Sequence, residues 1–459
     1  MVARHSIAVL GVAVMAGVWG FSSPSAQAET LAEALAEAYQ TNPDLTAERS
    51  RVRAVDEQVP QALSNWRPQV TLSGRYGVRT LDRKTGAGVE SDRTDQPQSV
   101  GLSISQNLFR GFRTQAETER AENRVAAARS NLIGTEQSVL LEGVVGYVTV
   151  LRDTAVLELR VNNVGVIEQQ LQATRDRFEV GELTRTDVAQ AESRLARAVA
   201  DRTTAEANFE TSRAAYRKAI GRDPVALQQP DLPPNLPQSE ADTLAAAAEN
   251  NPDVVFADFN ERAARSDIEL REGELLPTLT LDATIDRDKD IAGSDVRDTE
   301  KAITARLSVP LYQSGAVYSR IREAKQTASQ RLSELALRKR EAEQEASDSW
   351  EDFRAAQARI TAFESEVRAQ EVAFEGVQQE AQVGSRTVLD VLDAEQELLD
   401  SRVNLVSARR DLIVSGYALL SAIGKLTAQD LSLNVDVYDP THNFGAVRGK
   451  LFGSDIEGE

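Results

Sequence analysis

The chain of 459 residues has no cysteine, only two histidines and only 5% aromatic residues. Without cysteine there is no disulfide framework and no lipid-modified cysteine at a processing point. His5 and His442 cannot build a histidine-based metal or catalytic centre, so neither a metal nor a cofactor is expected. A phosphate-binding glycine loop and a nucleophile elbow are also missing, which leaves no catalytic machinery and no internal source of energy. Lys and Arg number 52 against 71 Asp and Glu, a net charge of -19. That balance argues against nucleic acid, because there is no basic surplus to neutralise phosphates. Beyond residue 28 no run of about 18 apolar residues occurs, so no helix is expected to cross a bilayer.

What is present begins with a targeting segment. Arg4 supplies a positive start, Ile7 to Gly20 an apolar run, and Ala26-Gln27-Ala28 a small-x-small pattern before Glu29. Residues 1–28 therefore read as a cleavable secretory signal, which directs the chain to periplasm or outer membrane.

The remainder contains itself twice. Asn42-Pro43-Asp44 recurs as Asn251-Pro252-Asp253, and Pro68, Val70 and Leu72 recur as Pro277, Leu279 and Leu281, at an offset of 209. Further on the offset is 203: Leu108-Phe109 matches Leu311-Tyr312, Val180-Gly181 matches Val383-Gly384, and Ala219-Ile220-Gly221 matches Ala422-Ile423-Gly424. The six-residue difference falls in one loop between residues 74 and 108. A duplication of this extent implies a pseudo-symmetric architecture, with function sought where the copies diverge.

Proline draws the boundaries. It is absent from residues 98–223 and 311–439, whereas Pro224, Pro230, Pro233, Pro234 and Pro237 crowd the join. The expected organisation is a first repeat over 29–221, a Pro-rich linker over 222–238, a second repeat over 239–424 and a tail over 425–459. The proline-free stretches read as helices broken once by glycine, at Gly181 and Gly384. Each gives one helix of about 66 residues and one of about 38, the longer on the order of 100 Å. Val188, Ala191, Leu195, Ala198 and Ala205 form a narrow alanine-rich stripe, suited to close coiled-coil contact. A further helix from Asp44 to about Asn65, bent at Pro60, is expected to stack on the shorter one beside the long one.

Four segments have a period of two. They lie at about 69–78, 99–109, 278–286 and 301–309, apolar on one side and polar on the other. Such segments suit a boundary between lipid and water, and four strands cannot close a barrel without leaving an edge. Several chains must then contribute. The connections at about 79–98 and 286–300 are charged and are expected to lie outside the membrane.

The combination resembles the TolC-type outer-membrane efflux proteins across nearly the whole mature chain. The resemblance rests on Asn-Leu-Phe-Arg-Gly at 107–111, Arg-Phe-Glu-Val-Gly-Glu-Leu-Thr-Arg-Thr-Asp-Val at 177–188 and Val-Gly-Ser-Arg-Thr-Val-Leu-Asp-Val-Leu-Asp-Ala at 383–394. The tail, with Tyr438-Asp439-Pro440 and Phe452-Gly453, looks like that of type I secretion members. The resemblance implies a mainly α fold with membrane β-strands: a duplicated coiled-coil tunnel and four strands per chain in a trimeric 12-stranded barrel. It also implies passive export of protein, drug or metal, with a periplasmic adaptor and an inner-membrane ABC or proton-driven transporter as partners, and no catalysis. A periplasmic coiled-coil adaptor is the rival reading, but it would not need two symmetric pairs of amphipathic strands.

The same resemblance places the helix starts after Gly181 and Gly384 at the tunnel mouth. Thr186 and Asp187 would then link to Arg386 and close the entrance. A family tyrosine that completes this link corresponds to Ala381, so one latch contact is missing. Helix capping alone would also explain Thr and Asp at these positions. Asp390 and Asp393 share one helix face, and the first copy has Gln190 at the second position. In a trimer they would form an acidic ring that attracts cations; as a single pair they could equally be a solvated face.

Overall fold

In a computed structural model of the chain, residues 28–84, 86, 88, 90–291 and 295–456 are described. Of the expected signal segment 1–28, residues 1–27 lie outside them. The first repeat runs α1 (Leu31–Thr41), α2 (Pro43–Asp56), α3 (Gln58–Leu63), β1 (Gln69–Tyr76), β2 (Arg79–Lys84), β3 (Glu90–Asp95), β4 (Gln98–Phe109), α4 (Arg113–Glu179) and α5 (Arg185–Ile220). The second runs α6 (Glu240–Asn250), α7 (Pro252–Glu272), β5 (Thr278–Lys289), β6 (Arg297–Ser308), α8 (Ala316–Gln382) and α9 (Val388–Ala422), and the tail adds α10 (His442–Arg448).

Both long helices have 67 residues and follow a residue in the left-handed region, Phe112 or Gly315. Their shorter partners have 36 and 35 residues. On α5 the buried residues Ala191, Ala198, Ala205, Ser212 and Ala219 follow one another at every seventh position. That spacing of seven keeps one seam against α4, as coiled-coil packing requires. Below its midpoint α4 packs against α5 and α9, and above it against α2 and α7.

The recurring Asn-Pro-Asp makes these changes of partner possible. Asn42 Oδ1 accepts the backbone N–H of Asp44 at 2.9 Å, and Asn251 Oδ1 that of Asp253 at 2.9 Å. Each asparagine thus caps a helix whose first residue is proline, where no N–H is lost. Asn251 Nδ2 also donates to Ala422 O at 3.2 Å, joining the start of α7 to the end of α9.

Sequence periodicity overlooked α1, α6 and α10, and it overestimated the helix after Asp44. Two pieces replace that helix, breaking at Glu57 so that Pro60 sits near the start of α3, where a missing N–H costs nothing. Its counterpart α7 is continuous, with Glu269 in place of the proline. The connection expected to be a polar loop at about 79–98 contains the hairpin β2–β3. Strands β5 and β6 extend to Lys289 and from Arg297, past the expected ends at 286 and 301, because they continue as a paired ladder into charged residues.

The membrane-type sheet has the order β1-β4-β5-β6, all antiparallel, and its outer edges are β1 and β6. Register aligns Leu72 with Leu102 and Ile285, and Val70 with Ile104, Ala283 and Ile303. Side chains directly opposite in a ladder share a face, so one face is mostly apolar, interrupted on β6 by Lys301 opposite Ile285. On the other face Ser73, Gly101, Asp286 and Glu300 lie in one row. The apolar face is uncovered in the single chain: Leu72 is 74% and Ile303 79% exposed. Among the described residues no helix is long and apolar enough to cross a membrane.

The compact core lies at mid-height, where α1 and the tail wrap α4, α5 and α9 while α6 packs on α8. Leu35, Leu140, Tyr147, Tyr216, Ile220, Ile423 and Leu426 are fully buried there, each burial contributing roughly 1.5–3 kcal/mol. Tyr147 Oη lies 2.6 Å from Glu29 O, and Tyr216 Oη donates to Glu29 Oε1 at 2.7 Å. Burial pushes the Tyr147 hydroxyl up to about 12.

The tail then climbs over the first repeat. Asn443 Nδ2 donates to Asp56 Oδ2 at 2.7 Å, and Phe444 lies beneath the guanidinium groups of Arg129 and Arg448. Asp56 is fully buried, 3.9 Å from Arg129, and burial holds its carboxyl above the usual range. The second repeat has Arg265 and Leu332 at the matching positions, so this strap serves one copy only. Removing the amide leaves the carboxylate short of a donor, so Asn443→Ala should cost about 1–3 kcal/mol. Thermal unfolding checks this, and an unchanged midpoint would mean the strap contributes nothing.

Candidate functional site

At the lower end each hairpin turns through the same local structure. Gly181 and Gly384 have φ of 80° and 81°, a region that favours glycine. Glu182 N donates to Arg177 O at 2.9 Å and Ser385 N to Glu380 O at 3.0 Å, closing the long helices in Schellman fashion. A capping box opens the next helix. Thr184 Oγ1 accepts from Asp187 N while Asp187 Oδ2 accepts from Thr184 N at 2.8 Å, and Thr387 and Asp390 repeat this. The backbone N–H of each threonine holds its aspartate below the usual carboxylate range.

The five predicted residues therefore stand as follows. Thr186 is exposed in the first turn of α5 and Asp187 is engaged in the cap. Arg386 Nε donates to Glu380 Oε2 at 2.8 Å within its own turn, and within one chain it is not bonded to Thr186 or Asp187. The bond to Glu380 keeps the Arg386 guanidinium above its ordinary value. Asp390 caps α9. Asp393 forms an ion pair with Arg194 of α5 and so ties the two hairpins of one chain together.

Arg194 is one of three groups that a reading of the motifs alone missed. The second is Arg160 on α4, which lies 3.6 Å from both Asp201 of α5 and Asp400 of α9. These ties have no mirror image, because the matching residues in the second copy are Glu397 and Phe363. The third is Glu395. Its counterpart Glu192 pairs with Arg175 at 2.7 Å, but Gln378 occupies the position matching Arg175. Deprived of that cation and partly buried, the Glu395 carboxyl is pushed up to about 7 by desolvation. Comparing the copies at the 203 offset is the signal that would have found all three. Between Arg160 and Arg194, Val164, Ile167, Ala198 and Leu392 form a small apolar cluster that seats α9 on α4 and α5.

This geometry can hold two hairpins side by side at a polar, charged tip. Among the described residues no group of three or more His, Cys, Asp or Glu could hold a metal ion.

The family model for "Outer membrane efflux protein" matches residues 34–222 and 243–425. The chain is 35% identical to the outer membrane efflux protein BepC of Brucella suis biovar 1, over 97% of this chain and 96% of that protein. It is 29% identical to the outer membrane protein TolC of Vibrio cholerae, over 90% and 94%. The outer-membrane channel CmeC of Campylobacter jejuni superposes with a TM-score of 0.78 at 15% identity, covering 91% of this chain and 89% of that one. The chain belongs to the outer membrane efflux protein family. Its place is the outer membrane, and it serves as an exit duct there.

Glu395 gives a pH prediction. Its folded-state value lies above the ordinary 4.5, so its contribution to stability is complete below about 4.5 and is lost as pH rises through about 7. Glu395→Gln should therefore gain stability over the parent at pH 8 but not at pH 4. After allowance for its partial exposure the difference is on the order of 1 kcal/mol. Melting curves at both pH values measure it, and equal differences would contradict the assignment.

Proposed function

We propose that three copies join edge to edge into one twelve-stranded barrel, with their helices forming a continuous periplasmic tunnel beneath it. The observation that carries this reading is the four-stranded sheet with an uncovered apolar face and two open edges, set on hairpins of 67-residue helices. Lipid does not tolerate unpaired backbone groups, and further copies of the same sheet supply their partners. Export through the duct is passive and no bond is made or broken; a periplasmic adaptor and an inner-membrane transporter deliver the cargo. The tail similar to type I secretion members and the family relationship support this arrangement.

At the tunnel mouth the proposed links run between chains. Arg386, held by Glu380 in its own turn, would exchange partners for Thr186 and Asp187 of a neighbouring hairpin. Asp390 and Asp393 would form the entrance ring, and the Arg194–Asp393 pair sets its strength, because a cation bound there competes with a guanidinium.

Single-channel recording of the purified protein in planar bilayers tests both parts. Submillimolar divalent or trivalent cations on the periplasmic side should block the parent, and Asp390→Asn/Asp393→Asn should lose that block. Arg194→Ala should strengthen it by freeing Asp393. Persisting block in the double variant would overturn the ring. Arg386→Ser should raise conductance by loosening the mouth, and unchanged conductance would count against the link.

A further inference from the structure

The recurring Asn-Pro-Asp turns do more than cap helices. They bring the starts of α2 and α7 to one recess of about 520 Å³ on the wall made by α4 and α8. Asp44, Glu142, Asp253 and Glu345 line it, together with Gln137 and Ser138. Lys218 Nζ donates to Glu142 at 2.7 Å and so balances part of that charge. Asp253 and Glu345 have no cation within ion-pair distance among the described residues. Burial, and then the neighbouring Asp253 charge, raise the Glu345 carboxyl above its ordinary range, so this pair of acids is held in place without a counter-charge.

A second observation is independent of charge. Gln137 is only 4% exposed, borders the recess, and its Nε2 has no hydrogen-bond partner among the described residues. A buried amide donor without an acceptor costs about 1–3 kcal/mol, and such groups are rare enough to need an explanation. The recess thus offers carboxylates that want a cation beside a donor that wants an oxygen. A bare metal ion would satisfy only the first, and no metal-type cluster occurs here among the described residues.

Position decides what can reach it. Ser138 in the recess and Tyr147 in the mid-height core are nine residues apart on α4, which at 100° per residue places them on opposite faces. Ser138 therefore faces away from α1 and the tail, and Asn251 at the end of α6 closes one side of the recess. In the trimeric duct of the preceding section, on which this point rests, the side of α4 opposite α1 and the tail is the inner wall.

We propose that this recess binds a basic residue of an extended polypeptide: Asp253 and Glu345 take the ammonium or guanidinium, and Gln137 donates to the adjoining backbone carbonyl. It is a stopping point half-way along the duct, distinct from the ring at Asp390 and Asp393. A polypeptide passing in extended form presents both groups together, whereas a simple amine presents one. The two sets of acids lie on separate parts of the chain, so either can be removed alone.

Equilibrium binding to the full-length protein in detergent tests the proposal, with fluorescent N-acetyl-Gly-Arg-Gly-amide as probe and the neutral citrulline peptide as control, at low salt. The arginine peptide should bind and the citrulline peptide should not. Measured in an Asp390→Asn/Asp393→Asn background, where the entrance ring no longer takes cations, Glu345→Gln and Asp253→Asn should each weaken binding by roughly tenfold. Gln137→Leu should weaken the arginine peptide but not free spermidine, since only the peptide carries the carbonyl. Equal binding of the citrulline peptide, or indifference to Glu345→Gln in that background, would each overturn the site. Potassium chloride conductance of the same preparation reports separately on the duct: conductance without peptide binding removes this proposal alone, and its absence removes the duct reading.

Discussion

An open sheet edge cannot rest in lipid, and most of this molecule can be understood from that constraint. Strands β1 and β6 each present an unpaired ladder beside an apolar face that nothing among the described residues covers. Water would satisfy the ladder but not the apolar face, while lipid would satisfy the face but not the ladder. Only another strand at each edge satisfies both. The helices extend the same logic, since α4 and α8 carry partners along their whole length and the shorter helices break where the surroundings change.

That break is where the duplication becomes useful. Above mid-height α4 packs on α2 and α7, and below it on α5 and α9. Asn42 and Asn251 satisfy the first N–H groups of the upper helices at the junctions, so each column can be interrupted without orphaned backbone donors. The copies share this scaffold but not its charges. Arg194, Arg160 and the Asp56–Asn443 contact all occur once per chain. A set of identical hairpins would close into a uniform tube; single-copy ties make two kinds of hairpin that can move differently.

The long helices, the glycine turns and the four strands were legible because each rests on periodicity or on one residue type with a fixed conformational role. Helices α1, α6 and α10 were not. At 11, 11 and 7 residues they are held by tertiary contact, through Leu35, Ala247 and Val447, rather than by a pattern long enough to read. At the tip the sequence located Asp187 and Asp390 but could not tell a cap from a latch, since both need the same residues in the first turn. Arg194 and Glu395 were hidden for the opposite reason: nothing local marks them, and only comparison of the copies reveals a missing partner.

The cysteine-free chain permits a direct test of edge closure. Ser73→Cys on β1 can be combined in turn with Glu300→Cys, Ala302→Cys or Thr304→Cys on β6, and outer membranes then oxidised and run under non-reducing denaturation. Closure by three copies predicts that one combination gives covalent dimer and trimer, with nothing larger. A chain that stays monomeric in every combination, or a ladder that continues beyond three, would contradict it.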